Sequence, residues 1–141
     1  MEKLKQMLTE HEGSRAKIYS DVNGIPHIGI GRNLQQGISE DEINYLLEND
    51  IVRCMKECAS AFPWYSQLDE VRQDVMVMLC FNMGLTRLRG FKNMLGALEQ
   101  GDFEVAAAEL VDSRWYVQVG PLRGETLKEM LATGEYPNGN H

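Results

Sequence analysis

Residues 12–31 read EGSRAKIYSDVNGIPHIGIG, and the backbone pattern that the sequence predicts changes at the start of this segment. Residues 3–11, just before it, place their apolar side chains at helical spacing, and Gly13 supplies the residue type that ends helices. We therefore expect a first helix that ends at Gly13, with Glu12 at its C-terminus.

A β-hairpin is predicted to follow this helix. From Ser14 the apolar and polar residues alternate with period two, and the run stops at turn-forming residues between Asp21 and Gly24. The returning strand is expected over 25–30. Glycine next to polar residues in that strand leaves room for another group to approach the backbone, as at Gly29.

Helices are predicted for most of the remaining chain. Ser39 and Glu42 match a capping box at the start of a long amphipathic helix that ends before Pro63. A helix over 70–83 is apolar on nearly all sides, which predicts that it forms the buried centre of a helical lobe. Shorter helices are expected over 91–99, 103–111 and 122–132, with the Ser113 to Pro121 stretch as a separator.

These elements predict an α+β fold: a small antiparallel β-hairpin lobe and a helical lobe, joined by a long helix. We expect one domain over residues 1–141. Its β lobe would cover approximately 14–36, and its helical lobe approximately 62–135 together with the N-terminal helix 2–12. A cleft between sheet and helical bundle is the expected binding site.

Charge and hydropathy exclude several classes of protein. The formal net charge is −7, whereas nucleic-acid binding needs a concentrated cationic surface, so no nucleic-acid partner is expected. No run of about 20 apolar residues is present, and the N-terminus lacks the apolar segment of a signal peptide. We expect synthesis in a cytoplasm and no membrane span.

The three cysteines, Cys54, Cys58 and Cys80, indicate neither a disulfide framework nor a zinc site, because their number is odd and no CxxC pair occurs. Cys54 and Cys58 lie four residues apart on the predicted long helix and could share a face. Four-ligand zinc sites need further partners that this region of the sequence lacks. Buried packing is the expected role, and no metal or other cofactor is predicted.

Glu12 and Asp21 are candidates for acid–base chemistry. A helix end and a hairpin rim could direct both carboxyl groups into one cleft. Cleavage of a glycosidic bond needs one protonated carboxyl for the leaving oxygen and one ionised carboxylate that activates water or attacks the sugar. Taken alone, two acids at this spacing also occur by chance on a solvated surface.

The whole segment 12–31 closely resembles the catalytic segment of phage-type lysozymes, the phage muramidase family. Two later stretches resemble the helical lobe of that family in the expected order: F81-N-M-G84 with L88-R-G-F91, and S113-R-W-Y116 with P121-L-R123. The resemblance implies that Glu12 is the acid, that Asp21 helps to activate water and that Arg123 lies near Glu12. It implies substrate-binding roles for Gly29, Gly31, Asn82, Arg114 and Arg123.

His27 departs from the family pattern, because it occupies the position where the family usually has a threonine that holds the water. A histidine there could act as a base, or it could displace the water and attack the anomeric carbon. Inversion of the anomeric configuration is the expected outcome. The alternatives are that His27 is a passive residue of the cleft, or that it has cost the protein its hydrolytic activity.

The resemblance implies a monomeric endolysin-type muramidase that cuts the β-1,4 bond between N-acetylmuramic acid and N-acetylglucosamine in peptidoglycan and so lyses the host. Such an enzyme would be made in the host cytoplasm and would reach the wall after holin-dependent release or by delivery. Two alternatives remain open: a glycan-binding or structural phage protein that has lost turnover, and a lytic transglycosylase, which needs the acid but no water.

Overall fold

The computed structural model describes residues 1–137, which contain eight α-helices, three short strands and two single-turn 3-10 helices. In chain order the α-helices and strands are α1 (Glu2–Glu12), β1 (Arg15–Ser20), β2 (Pro26–Gly29), β3 (Arg32–Asn33), α2 (Glu40–Ala61), α3 (Glu70–Met83), α4 (Leu85–Arg89), α5 (Lys92–Gln100), α6 (Phe103–Val111), α7 (Arg114–Gln118) and α8 (Pro121–Thr133). This composition confirms the predicted α+β fold.

The chain divides into two compact units, Met1–Leu46 and Leu47–His141. The first contains α1 and the sheet, and the second contains α3 to α8. Helix α2 begins in the first unit and continues into the second.

The sheet of the first unit is antiparallel, with strand order β1-β2-β3. Tyr19 lies opposite His27 and Arg15 lies opposite Gly29, so four steps along β1 match two along β2 and the register shifts between them. A bulge of this kind interrupts the strict alternation predicted from Ser14. β2 is also one residue shorter at each end than the predicted strand 25–30.

Helix α2 starts with the predicted capping box. The Ser39 backbone N–H donates to Glu42 Oε1 at 2.9 Å, and the Glu42 N–H donates to Ser39 Oγ at 3.2 Å. Each residue thus satisfies a backbone N–H that has no partner within the helix. The helix ends at Ala61, before Pro63, as expected.

Three elements were not predicted: α4, α7 and β3. Helices α4 and α7 have five residues each and β3 has two. Segments this short were missed because they show no hydrophobic period. The Ser113 to Pro121 stretch is therefore not a plain separator. Ser113 caps α7, since its Oγ accepts a hydrogen bond from the Tyr116 N–H at 3.1 Å.

The hydrophobic core lies in the second unit, where α3 contacts α8 and α6 contacts both α5 and α8. α3 contributes buried apolar residues to this core, as predicted: Val75, Met76, Val77, Leu79 and Cys80. Met78 and Phe81 are exposed, so the helix is not buried on nearly all sides. Arg72 is buried with them, and its guanidinium donates to the carbonyls of Leu131 at 2.7 Å and Ala132 at 3.0 Å. Because a buried charge needs such partners, Arg72 ties α3 to the end of α8.

Among the helices described, none is long and apolar enough to span a bilayer.

Candidate active site

Glu12 is the last residue of α1. The helix ends there because Gly13 adopts a φ of +77°, and the Gly13 N–H donates to the Thr9 carbonyl at 2.8 Å. A positive φ strains residues that carry a Cβ, so glycine is suited to this reversal. The helix boundary predicted from Gly13 is confirmed.

The Glu12 side chain lies against the backbone of Gly31, in the turn between β2 and β3. A Cβ built on Gly31 would lie 2.8 Å from Glu12 Oε2 and 3.1 Å from Glu12 Cδ. Gly31 also has a φ of +69°. The missing side chain at Gly31 therefore lets the carboxyl group of Glu12 approach the sheet.

Asp21 begins the turn between β1 and β2, and the turn holds its carboxylate in place. Asp21 Oδ1 accepts hydrogen bonds from the backbone N–H groups of Asn23 at 2.8 Å and Ile25 at 3.0 Å. The Ile25 N–H lowers the pKa of Asp21 most, and the Asn23 N–H and the His27 ring lower it further. Donors that bind the ionised form favour it, so Asp21 is a carboxylate at neutral pH.

His27 lies on β2 with a mostly buried side chain, 16% exposed. Its Nδ1 is 2.9 Å from the Ile25 carbonyl oxygen, and 3.9 Å from Asp21 Oδ2. A carbonyl can only accept, so the Nδ1 must carry the hydrogen of that bond. The neutral ring then has its lone pair on Nε2, while the Asp21 carboxylate acts on it through charge alone.

Tyr19 supports the His27 ring from the neighbouring strand. The two ring centroids are 5.7 Å apart with an interplanar angle of 31°. The Arg15 guanidinium carbon lies 4.7 Å from the centroid of the Tyr19 ring, within cation–π range. Sequence reasoning did not single out Tyr19. Pairing the hairpin around its turn would have placed it opposite His27.

Three predicted substrate-binding residues, Asn82, Arg114 and Arg123, belong to the second unit. Asn82 Oδ1 accepts a hydrogen bond from Trp115 Nε1 at 2.7 Å, so Asn82 links α3 to α7. Asn82 and Arg123 line one groove of about 250 Å³.

Arg114 lines a separate cavity of about 520 Å³, together with Arg87 and Lys92. Glu109 and Asp112 also line it, so this cavity carries both signs of charge. Of the eight predicted site residues, the first unit holds Glu12, Asp21, His27, Gly29 and Gly31. Within that unit the structure brings Glu12 to Gly31 and Asp21 to His27.

Comparison with known proteins gives matches over most of the chain. The chain is 27% identical to probable T4-type lysozyme 2 of Dictyostelium discoideum over 161 aligned positions, which cover 93% of this chain and 94% of that protein. It is 26% identical to probable T4-type lysozyme 1 of the same organism with the same coverage.

A phage protein matches as well. The chain is 29% identical over 144 positions to the pre-baseplate central spike protein Gp5 of Enterobacteria phage T4. That alignment covers 82% of this chain but a quarter of the spike protein's length. The profile of the phage lysozyme family matches residues 9–131, a range that includes all eight predicted site residues. The chain therefore belongs to the phage lysozyme family.

Proposed function

We propose that the protein is a muramidase that hydrolyses the β-1,4 bond between N-acetylmuramic acid and N-acetylglucosamine in bacterial peptidoglycan. Membership of the phage lysozyme family and the likeness to two probable T4-type lysozymes support this activity. The observation that carries the proposal is the position of Glu12, whose carboxyl lies against Gly31 in the unit that also holds Asp21 and His27.

In this mechanism Glu12 is the general acid. It donates its proton to the glycosidic oxygen as the bond to the anomeric carbon breaks, and the leaving sugar departs as an alcohol. A general acid must be held at a fixed distance from the leaving oxygen. The helix end at Gly13 fixes where the Glu12 side chain begins, and the bare backbone at Gly31 leaves room for its carboxyl beside the sheet.

His27 and Asp21 activate the water. The Nε2 of His27 takes one proton from water while the water oxygen attacks the anomeric carbon, and the carboxylate of Asp21 stabilises the imidazolium that forms. The Ile25 carbonyl accepts from Nδ1 and so leaves the lone pair of the neutral ring on Nε2. This course inverts the anomeric configuration. Direct attack by Nε2 on the sugar would instead form a covalent glycosyl–imidazolium intermediate, and its displacement by water in a second inverting step would give net retention.

The oligomeric state, the place of synthesis and the route to the cell wall are proposed from the family resemblance. The enzyme acts as a monomer on peptidoglycan glycan strands and uses no cofactor. It is made in the host cytoplasm and acts on the wall after holin-dependent release or delivery, which ends in host lysis. The name of the family, phage lysozyme, supports peptidoglycan as the substrate.

A second candidate function is a structural or glycan-binding component of a phage particle. The similarity to the central spike protein of phage T4 favours it. This candidate and the muramidase differ in turnover: a binding component retains peptidoglycan without releasing new sugar ends.

Digestion of purified peptidoglycan tests the activity. The muramidase predicts new reducing ends of N-acetylmuramic acid, identified by mass, with inverted configuration in the first product. Anhydro-muramic ends would instead show a lytic transglycosylase, and binding without new ends would support the structural candidate.

Two substitutions at His27 test its role. His27→Phe keeps a ring next to Tyr19 but has no base, so we expect it to lose hydrolysis. His27→Thr restores the residue usual in the family and removes the imidazole base, so we expect the rate, its pH dependence or the product anomer to change. If His27→Thr leaves rate, pH profile and product anomer unaltered, His27 has no active role.

A further inference from the structure

Two thiols and a carboxylate meet in the second unit, outside the candidate active site. Cys54 and Glu57 come from α2 and Cys80 from α3, and their ligand atoms all lie within 4.8 Å of one another. Cys54 is fully buried and Cys80 is 1% exposed. Cys54 and Glu57 lie three residues apart on α2, and the sequence did not reveal Cys80 as their partner because Cys80 reaches them only when α3 packs against α2.

The spacing of these atoms suits a tetrahedral cation. Zinc lies about 2.3 Å from thiolate sulfur and about 2.0–2.2 Å from carboxylate oxygen, so a sulfur and an oxygen on one tetrahedral ion are about 3.6 Å apart. Cys80 Sγ and Glu57 Oε1 are 3.6 Å apart. An S–H···O hydrogen bond has the same length, and cobalt binding distinguishes a metal site from such a hydrogen bond.

The cluster can be reached from solvent on the side of Glu57. The Glu57 side chain is 35% exposed and lines a groove of about 310 Å³, together with Lys56, Ser60 and Arg89. A metal site needs an entry path of this kind as well as its ligands. Neither cysteine lines this groove, so a water molecule that serves as the fourth ligand would enter past Glu57.

The charges of the cluster can be balanced. Two thiolates and one carboxylate carry −3, a divalent cation leaves −1, and the Arg53 guanidinium, 3.2 Å from Glu57 Oε1, offsets the remainder.

Cys58 lies beside this cluster and interacts with Cys80, but its thiol also has a partner outside the cluster. Cys58 Sγ donates to the Met76 carbonyl at 3.8 Å. We therefore leave Cys58 out of the ligand set, and this makes it a control.

We propose that Cys54, Glu57 and Cys80 form a binding site for a thiophilic divalent cation of the zinc class, which joins α2 to α3. The site is independent of the muramidase chemistry. Zinc has the ligand preferences that two thiolates, one carboxylate and an open fourth position satisfy.

Cobalt binding to the whole, fully reduced chain tests the site, because Co²⁺ occupies zinc sites and absorbs light when thiolates bind it. We expect one Co²⁺ per chain and a thiolate-to-cobalt charge-transfer band. Cys54→Ser and Cys80→Ser should each weaken binding by more than about 100-fold, since even groups that only support a ligand contribute about 10–100-fold. Cys58→Ala should keep the band.

Glu57→Gln provides a test that does not depend on buried substitutions. It should weaken Co²⁺ binding at least about 10-fold. Asp50→Asn is its matched control, because Asp50 Oδ1 pairs with the other arm of the same Arg53 at 3.3 Å and should not affect cobalt. The proposal is overturned if the wild-type chain shows no charge-transfer band, or if Glu57→Gln and Asp50→Asn bind Co²⁺ equally.

Discussion

Gly31→Ala should separate the placement of Glu12 from the stability of the fold. The added Cβ would lie 2.8 Å from Glu12 Oε2, about 0.6 Å closer than ordinary contact, so the carboxyl has to move. The clash costs little stability, because the end of the Glu12 side chain can rotate away. The positive φ of +69° at residue 31 costs about 1–2 kcal/mol of unfolding free energy.

Catalysis is more sensitive than stability to such a shift. A displacement of about 1 Å in a reacting group can cost about 100-fold in rate, so we expect Gly31→Ala to lower kcat by about 10–100-fold. Gly37→Ala is the matched control: its φ is +75°, and its Cβ would have no neighbour within 4 Å. Both variants should lose unfolding free energy in urea, and only Gly31→Ala should lose kcat in the molecules that remain folded. Equal kcat values for the two folded variants would refute this account of Glu12.

Two further predictions concern hydrogen bonds. The carboxyl of Asp21 should titrate below its ordinary pKa in carbon-detected NMR, and in His27→Thr it should still do so, because the Ile25 N–H is the largest cause of the shift. Because the pKa of Asp21 is lower in the folded state, its ionised carboxylate stabilises the fold at pH values above the pKa that Asp21 has in the unfolded chain. This contribution is lost as the pH falls through the pKa of Asp21 in the folded state. An ordinary pKa for Asp21 would contradict the turn geometry. Asn82→Leu should lower the unfolding free energy by about 1–3 kcal/mol, because it leaves the N–H of Trp115, a residue only 1% exposed, without its acceptor. The same substitution should cost clearly less in a Trp115→Phe background, where that N–H is absent. If the two substitutions are fully additive in this double-mutant cycle, the hydrogen bond contributes nothing to stability.

The sequence predicted those parts of the fold that local rules determine. The capping box at Ser39 fixed the start of α2, and Gly13 marked the end of α1. α7 was missed because five residues show no clear period, although Ser113 is a good capping residue. The bulge in β1 was missed because a register shift depends on the partner strand.

In the candidate site, too, local sequence patterns revealed some features, whereas features that depend on the folded chain were missed. Glu12 and Asp21 stood out through motif and resemblance, and the structure adds how each is held. The tautomer of His27 depends on the Ile25 carbonyl, a backbone atom that no side-chain pattern reveals. The proximity of Cys80 to Cys54 was hidden for a similar reason, since Cys80 lies 26 positions further along the chain.

The most direct test of the central claim compares Glu12→Gln with Glu10→Gln on purified peptidoglycan, counting new reducing ends per folded molecule. Glu10 is an exposed glutamate on the same helix and gives the same change of charge. If Glu12 supplies the proton, Glu12→Gln should lose about 10²–10⁴-fold in rate, while Glu10→Gln keeps the wild-type rate. Equal rates of cleavage by the two variants would contradict the role of Glu12 and the muramidase mechanism based on it.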